Sequence, residues 1–370
     1  MCDAVTYKNQ ALYVHIPFCQ CICAYCDFTR VRYNEKLAEQ YLDTLQTELK
    51  ERVDRTDFQS VYIGGGTPTA LSLSQLKKLL AMLKPYCRQA VEITIEANPE
   101  AITQPLIDVL KQGGINRISL GLQSCNDRML SFLHRRHTFA RAKQSVRLLQ
   151  ENGLGNISCD LIYSLPHQDL EMWHETLKGL IELEVPHCSL YSLTIEQNSE
   201  FGRTGQKPQD EETEAQMYFD AVQILKEAGY LHYEVSNFAK PGYESVHNRH
   251  YWHYDDFWGV GLGASGKLGS YRYDNTCNFQ EYFRHQWIGE KIDLSVEDQK
   301  FEMIMMNLRT SKGLDLAYFH DTYHEDLMDC YPEAVKSTMD KGWLVIEDGC
   351  LRTTETGMAL LNTVLEEFLD

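Results

Sequence analysis

The stretch "ALYVHIPFCQCICAYCDFTR", residues 11–30, begins as a β-branched and aromatic strand and runs straight into a loop with four cysteines. Cys19, Cys21, Cys23 and Cys26 fall within eight positions. The chain has 12 cysteines in 370 residues, too few per residue for a disulfide scaffold. In a reducing compartment so tight a cluster reads as metal or redox chemistry. The other eight, among them Cys87, Cys125, Cys159 and Cys188, are scattered and read as small buried apolar residues.

The strand that opens this stretch is repeated down the chain. Residues 60–65, 91–97, 117–123, 157–165 and 187–195 share its apolar, β-branched texture. Helical patterns lie near 35–54, 72–86, 102–113, 138–152, 168–183 and 211–229. In "SLSQLKKLLAMLK", Leu76, Leu79, Leu80 and Leu83 share one helix face. Repeated β-then-α units imply right-handed crossovers and a parallel sheet. Six units are too few for a closed eight-fold barrel, so the expected fold class is α/β, an open partial (β/α)6 barrel. Chemistry in such barrels sits where strands end. The cysteines follow the first strand, Gly64, Gly65 and Gly66 follow the second, Glu96 ends the third and Gln123 the fourth.

After about residue 296 the order becomes helix, Gly break, helix, two short strands joined at "EDG", helix. That is the order of a small winged-helix-like C-terminal domain. The expected division is therefore a barrel core over 1–230, a connecting segment over 231–295 and the C-terminal domain over 296–370. A net charge of -18 argues against nucleic acid as the main partner. The N-terminus "MCDAVTYKNQ" lacks the pattern of a secretory signal, and no stretch reaches the roughly 18 apolar residues of a membrane span. The expected location is the cytoplasm.

Cys19, Cys23 and Cys26 read as C-x3-C-x2-C. Three thiolates can hold three irons of a [4Fe–4S] cluster and leave the fourth iron for an exogenous ligand, whereas ordinary clusters use four cysteines. Zinc would want four ligands, usually as two separated pairs, and here only Cys21 or His15 could complete the set. A redox dithiol of Cys23 and Cys26 is the other alternative.

C-x3-C-x2-C with an aromatic before its last cysteine resembles the radical S-adenosylmethionine (SAM) superfamily. The resemblance implies a [4Fe–4S] cluster on Cys19, Cys23 and Cys26, with SAM on the open iron and a 5′-deoxyadenosyl radical released by its reductive cleavage. "GGGTP" (64–68) resembles the family's glycine motif, which places Gly65, Gly66 and Thr67 against SAM. Glycines also let backbone approach a ligand closely. By the same resemblance Tyr13, Glu96, Gln123, Arg135 and Asp160 fall at SAM-contacting positions, with Arg136 replacing Arg135 if the register slips by one.

"LYVHIPFC" and "AYCDF" narrow the resemblance to the branch that holds oxygen-independent coproporphyrinogen III oxidases and HemW-type heme chaperones. "HNRHYW" (247–252) is similar to the H-N-x-x-Y-W motif of the heme chaperones, which makes His247 the favoured heme ligand, with Tyr251 and Trp252 stacking on the macrocycle. The chaperone side implies heme binding and delivery to respiratory membrane enzymes. The oxidase side implies decarboxylation of porphyrinogen propionates to vinyls by the deoxyadenosyl radical, and a heme-degrading methyltransferase belongs to the same branch. The oxidases carry a further cysteine where this chain has Phe28, and a longer N-terminal arm than the 18 residues that precede Cys19 here. Cys21 departs from both patterns and is taken as a bystander.

Overall fold

The structure is a computed structural model that describes residues 10–369; residues 1–9, which hold most of the stretch read above for a secretory signal, and residue 370 lie outside the described residues. Six parallel strands form its centre: β1 (Ala11–Ile16), β2 (Ser60–Gly65), β3 (Glu92–Ala97), β4 (Arg117–Gln123), β5 (Ile157–Tyr163) and β6 (His187–Ser192). They lie side by side in chain order. Leu12 sits beside Val61, Val61 beside Ile93, and Ile118 beside Ile157. These residues belong to the main apolar core, as expected for strands covered on both faces.

Six helices return the chain between these strands or follow the last: α1 (Glu35–Arg52), α2 (Leu73–Leu83), α3 (Gln104–Gln112), α4 (Phe139–Glu151), α5 (Leu170–Glu182) and α6 (Glu211–Glu227). Leu76, Leu79, Leu80 and Leu83 are all buried. The helix starts are written locally: Asn34, Thr138, Asp169 and Asp210 each accept a hydrogen bond from a first-turn N–H, and Ser72 forms a capping box with Gln75.

The sheet does not stop at six strands. It has twelve. Beyond β6 it continues antiparallel through β7 (Leu231–Glu234) and β8 (Asn237–Ala239), with β8 next to β6. On the other side β9 (Phe257–Val260) runs parallel to β1 and leads to antiparallel β10 (Ser265–Leu268), β11 (Tyr271–Asn275) and β12 (Ile288–Asp293). The stretch read as a connecting segment therefore supplies half of the sheet's strands. Between β8 and β9 lies one short helix, α7 (Val246–Trp252), which carries HNRHYW. It packs on the first residues of β2 and β3, the end of the barrel opposite the cysteines.

A second apolar cluster, including Ile304, Leu308, Phe319, Val335, Leu351 and Val364, organises the C-terminal part. There a helix (Val296–Asn307) precedes a three-stranded antiparallel sheet and further short helices. Two of these strands, Leu344–Glu347 and Cys350–Thr353, are joined at Asp348 and Gly349, both with positive φ. Among the described residues no helix is long and apolar enough to cross a membrane.

Candidate functional site

The mouth of the barrel, where β1 to β6 end, holds a cavity of about 360 Å³. Each strand contributes through its period of two. Inward positions share register across the sheet, as Tyr13 does with Tyr62, Glu96 with Ser119, and Gly121 with Asp160.

The cysteine loop is closed at its base. Phe18 and Cys19 pair with Val31 and Arg32, and the Val31 N–H donates to the Pro17 carbonyl at 2.7 Å. Ala24 packs into an apolar cluster with Met129, Leu133, Ile162, Leu193 and Phe201, which pins the middle of the loop. Cys19, Cys23 and Cys26 all border the cavity, and so does Cys21. The Cys21 thiol is directed to backbone, at 3.8 Å from the His134 carbonyl oxygen. Burial pushes the Cys19 thiol up to about 12 against a hydrogen bond from Thr67, and the Cys26 and Cys23 thiols add to the rise. Burial also raises Cys26.

Thiols held this high become ligands only when a strong positive charge displaces their protons. The described residues gather no group of three or more Cys, His, Asp or Glu around a single-ion position. An iron–sulfur cluster meets each thiolate at a different iron, so its ligands stand further apart, and three cysteines around one cavity fit that demand.

The glycine turn after β2 is pressed against this loop. The Gly66 N–H donates to the Ile16 carbonyl at 2.9 Å and the Thr67 N–H to the Phe18 carbonyl at 2.8 Å. Gly65 has φ +113, and a Cβ there would lie 2.6 Å from the His15 ring. A Cβ on Gly66 would lie 3.0 Å from the Cys19 Sγ. Only glycine satisfies both the backbone and the space at Gly65.

Glu96 receives two donors: the Tyr62 hydroxyl at 3.0 Å on Oε1 and the Gly65 N–H at 3.0 Å on Oε2. Burial, then the neighbouring Asp160 carboxylate, push Glu96 up to about 8. Burial raises Asp160 as well, although the Ser119 hydroxyl donates to it at 2.9 Å. Two buried carboxylates near each other resist ionising together, which leaves the cavity prepared for a cationic group. Arg135 crosses to the same space, donating to the Asn98 Oδ1 at 2.7 Å, the Gly121 carbonyl at 2.6 Å and the Cys23 Sγ at 3.3 Å. Arg136 borders a different, neighbouring cavity. Gln123 has φ 67 beside a register shift between β4 and β5, which turns its side chain to the cavity.

Gly65, Gly66, Thr67, Glu96, Gln123, Arg135 and Asp160 thus meet the three cysteines around one space. Two expected residues do not reach it. Tyr13, level with Tyr62 in the sheet, is turned away from the cavity lining, its hydroxyl 3.0 Å from the His15 Nδ1 and its ring stacked on Tyr62 at 6.1 Å. His247 lies at the far end of the barrel, 1 % exposed. Its Nδ1 is 2.9 Å from the Ser60 Oγ and its Nε2 is 2.6 Å from the Tyr251 hydroxyl. The physical reason is the Glu92 carboxylate, which accepts from the Val246 and His247 N–H groups at 2.9 and 3.0 Å and so seats α7 in the floor. Tyr62, Asn98, Ser119 and Tyr191 also line the cavity and were not singled out from the sequence. Tyr62, Ser119 and Tyr191 are inward positions of strands already recognised, so period-two counting would have found them.

A partial parallel barrel with three loop cysteines after its first strand and a glycine turn after its second is the architecture of a radical SAM protein. The family model described as the Radical SAM superfamily matches residues 13–180, and that of the HemN C-terminal domain matches 294–360. A protein named heme chaperone HemW from Lactococcus lactis subsp. lactis is 36% identical over 98% of both chains. One of the same name from Bacillus subtilis is 33% identical over 97% of this chain and 99% of its own. The solved coproporphyrinogen III oxidase (HemN) of Escherichia coli superposes with a TM-score of 0.86 at 24% identity, over 97% of this chain and 90% of its own, a likeness of fold. This chain belongs to the HemW family of radical SAM proteins. Membership implies a [4Fe–4S] cluster and SAM.

Proposed function

We propose that this protein is a heme chaperone. It binds heme, carries SAM on a three-cysteine [4Fe–4S] cluster, and passes heme to respiratory enzymes at the membrane surface while itself residing in the cytoplasm, where thiols stay reduced. The observation that carries this reading is the match, over nearly the whole chain, to relatives named heme chaperones.

In this reading Cys19, Cys23 and Cys26 hold the cluster. When bound, the cluster can supply one electron to the sulfonium of SAM. The chain's own residues orient the ligand and exclude water from it. Glu96 takes the ammonium in its ionised form, with both oxygens already fixed by Tyr62 and Gly65. The glycine turn admits the ligand against bare backbone, and Thr67, Gln123, Arg135 and Asp160 border the rest of the space. Arg135 keeps positive charge beside the Cys23 sulfur. Phe28, 65 % exposed, and Tyr191, 46 % exposed, give the mouth an apolar rim that suits a flat macrocycle.

The test is anaerobic incubation of cluster-loaded protein with reductant and SAM, once with heme and once with coproporphyrinogen III. Stable heme absorbance without a decarboxylated product is expected. Conversion of coproporphyrinogen to its divinyl product would replace the chaperone reading with the oxidase one, and ring opening with SAM consumption would replace it with heme degradation.

A further inference from the structure

We propose that the HNRHYW helix positions the SAM-facing carboxylate, and that His247 is a positioning residue for Glu96 rather than a heme ligand. The inference rests on the reading of the cavity as a SAM site. Its observation is a continuous column of side chains through the barrel.

The column starts at the floor. Glu92 accepts from the Ser245 hydroxyl at 3.3 Å besides the two backbone N–H groups of α7, and the Arg117 Nε lies 3.9 Å from it. With its backbone thus anchored, α7 presents His247 and Tyr251, an i,i+4 pair, to the barrel interior. The His247 ring is fixed by Ser60 and Tyr251 and lies 5.1 Å from the Tyr62 ring at 30°. Tyr62 is flanked by Tyr13 as well. Held between them, its hydroxyl reaches Glu96 Oε1. Tyr13 in turn touches His15, whose Nε2 is 2.9 Å from the Thr29 carbonyl in the cysteine loop. The remaining motif positions, Asn248 and Trp252, set their side chains toward the buried Glu234 carboxylate.

The motif's side chains are therefore turned to the barrel: His247 to Ser60, Tyr251 to the His247 ring, and Asn248 and Trp252 toward Glu234. A heme iron at His247 would have to break into a buried ring whose two nitrogens are both engaged. A displaced Tyr62, by contrast, would release one of the two donors that fix the Glu96 carboxylate. A hydrogen bond to a charged group matters by about tenfold or more in affinity.

The experiment compares His247→Ala, His247→Phe and Tyr62→Phe with wild type as cluster-loaded full chains. Three readouts are taken: SAM affinity by equilibrium dialysis, the change that SAM produces in the electron paramagnetic resonance spectrum of the reduced cluster, and heme-bound absorbance. The expected result is a loss of about tenfold in SAM affinity for His247→Ala and Tyr62→Phe, with a weakened spectral change. His247→Phe, which restores a ring against Tyr62 but offers no ligand nitrogen, recovers most of both. Heme absorbance stays as in wild type throughout. Loss of the heme band in both His247 variants with SAM affinity unchanged would overturn the inference and return His247 to the heme iron. Unchanged SAM affinity in Tyr62→Phe would overturn it too, and this variant removes a single hydroxyl, so it serves even if His247→Ala does not fold. A wild type that binds no SAM would refute the reading of the cavity and this inference with it.

Discussion

Replacing Glu96 by Gln should make the cluster-free protein more stable, by an amount that grows with pH. A carboxyl raised from 4.5 to about 8 stays protonated in the folded state where the unfolded chain has already released its proton. Folding then carries a cost that is absent below 4.5, grows between 4.5 and 8, and is complete above 8. At 1.36 kcal/mol per pH unit the full cost is of order 5 kcal/mol. Glutamine removes the charge but leaves one acceptor oxygen for two donors, the Tyr62 hydroxyl and the Gly65 N–H, which returns roughly 1–2 kcal/mol. The net gain is about 3 kcal/mol at high pH and nothing, or a small loss, near pH 5. Thermal unfolding under anaerobic conditions with a chelator, from pH 5 to 8.5, reads this directly. With the cluster loaded, SAM affinity of wild type should rise with pH toward 8 as the carboxylate ionises, and Glu96→Gln should bind weakly without that rise. A stability difference that stays flat with pH would refute the reasoning, because it would mean Glu96 ionises normally in the folded state.

Other perturbations test separate parts of the site. Alanine at Cys19, Cys23 or Cys26 should abolish the cluster absorbance of reconstituted protein, whereas Cys21→Ala should keep it; the reverse pattern for Cys21 and Cys23 would shift the ligand register by two. Gly65→Ala forces an L residue to φ +113 with its Cβ 2.6 Å from His15, and a melting-temperature drop equivalent to about 2 kcal/mol or more is expected. Glu92→Ala leaves Arg117 buried without its carboxylate and the first N–H groups of α7 unpaired. Denaturant titration should show a loss of about 3–5 kcal/mol.

Much of the core was legible because its signals are local. The strand and helix pattern up to residue 229 follows apolar period and caps, and the structure trims the ends only slightly, as where α2 stops at Leu83. The strands of 231–293 were not legible. β12 is exposed along its whole length and pairs on one side only, so no buried alternation marks it. β9 owes its place to a parallel partner, β1, some 240 residues earlier in the chain, a pairing no local pattern encodes.

The same distinction explains the site. Cys19, Gly65 and Glu96 are found at strand ends because the topology of a parallel barrel brings all such ends to one mouth. His247 and Tyr251 have a similar residue chemistry, ring nitrogens and hydroxyls among aromatics, yet they follow no central strand. What places them is a single long-range event, the capture of the α7 backbone by Glu92 at the start of β3. A histidine beside aromatics reads alike whether it ligates a metal or closes a barrel. Two engaged nitrogens and 1 % exposure separate the two cases, and both follow from where the helix is anchored. The floor and the mouth of this barrel are then parts of one structure: Glu92 fixes α7, α7 fixes His247, and His247 flanks the tyrosine that aims Glu96 at the ligand.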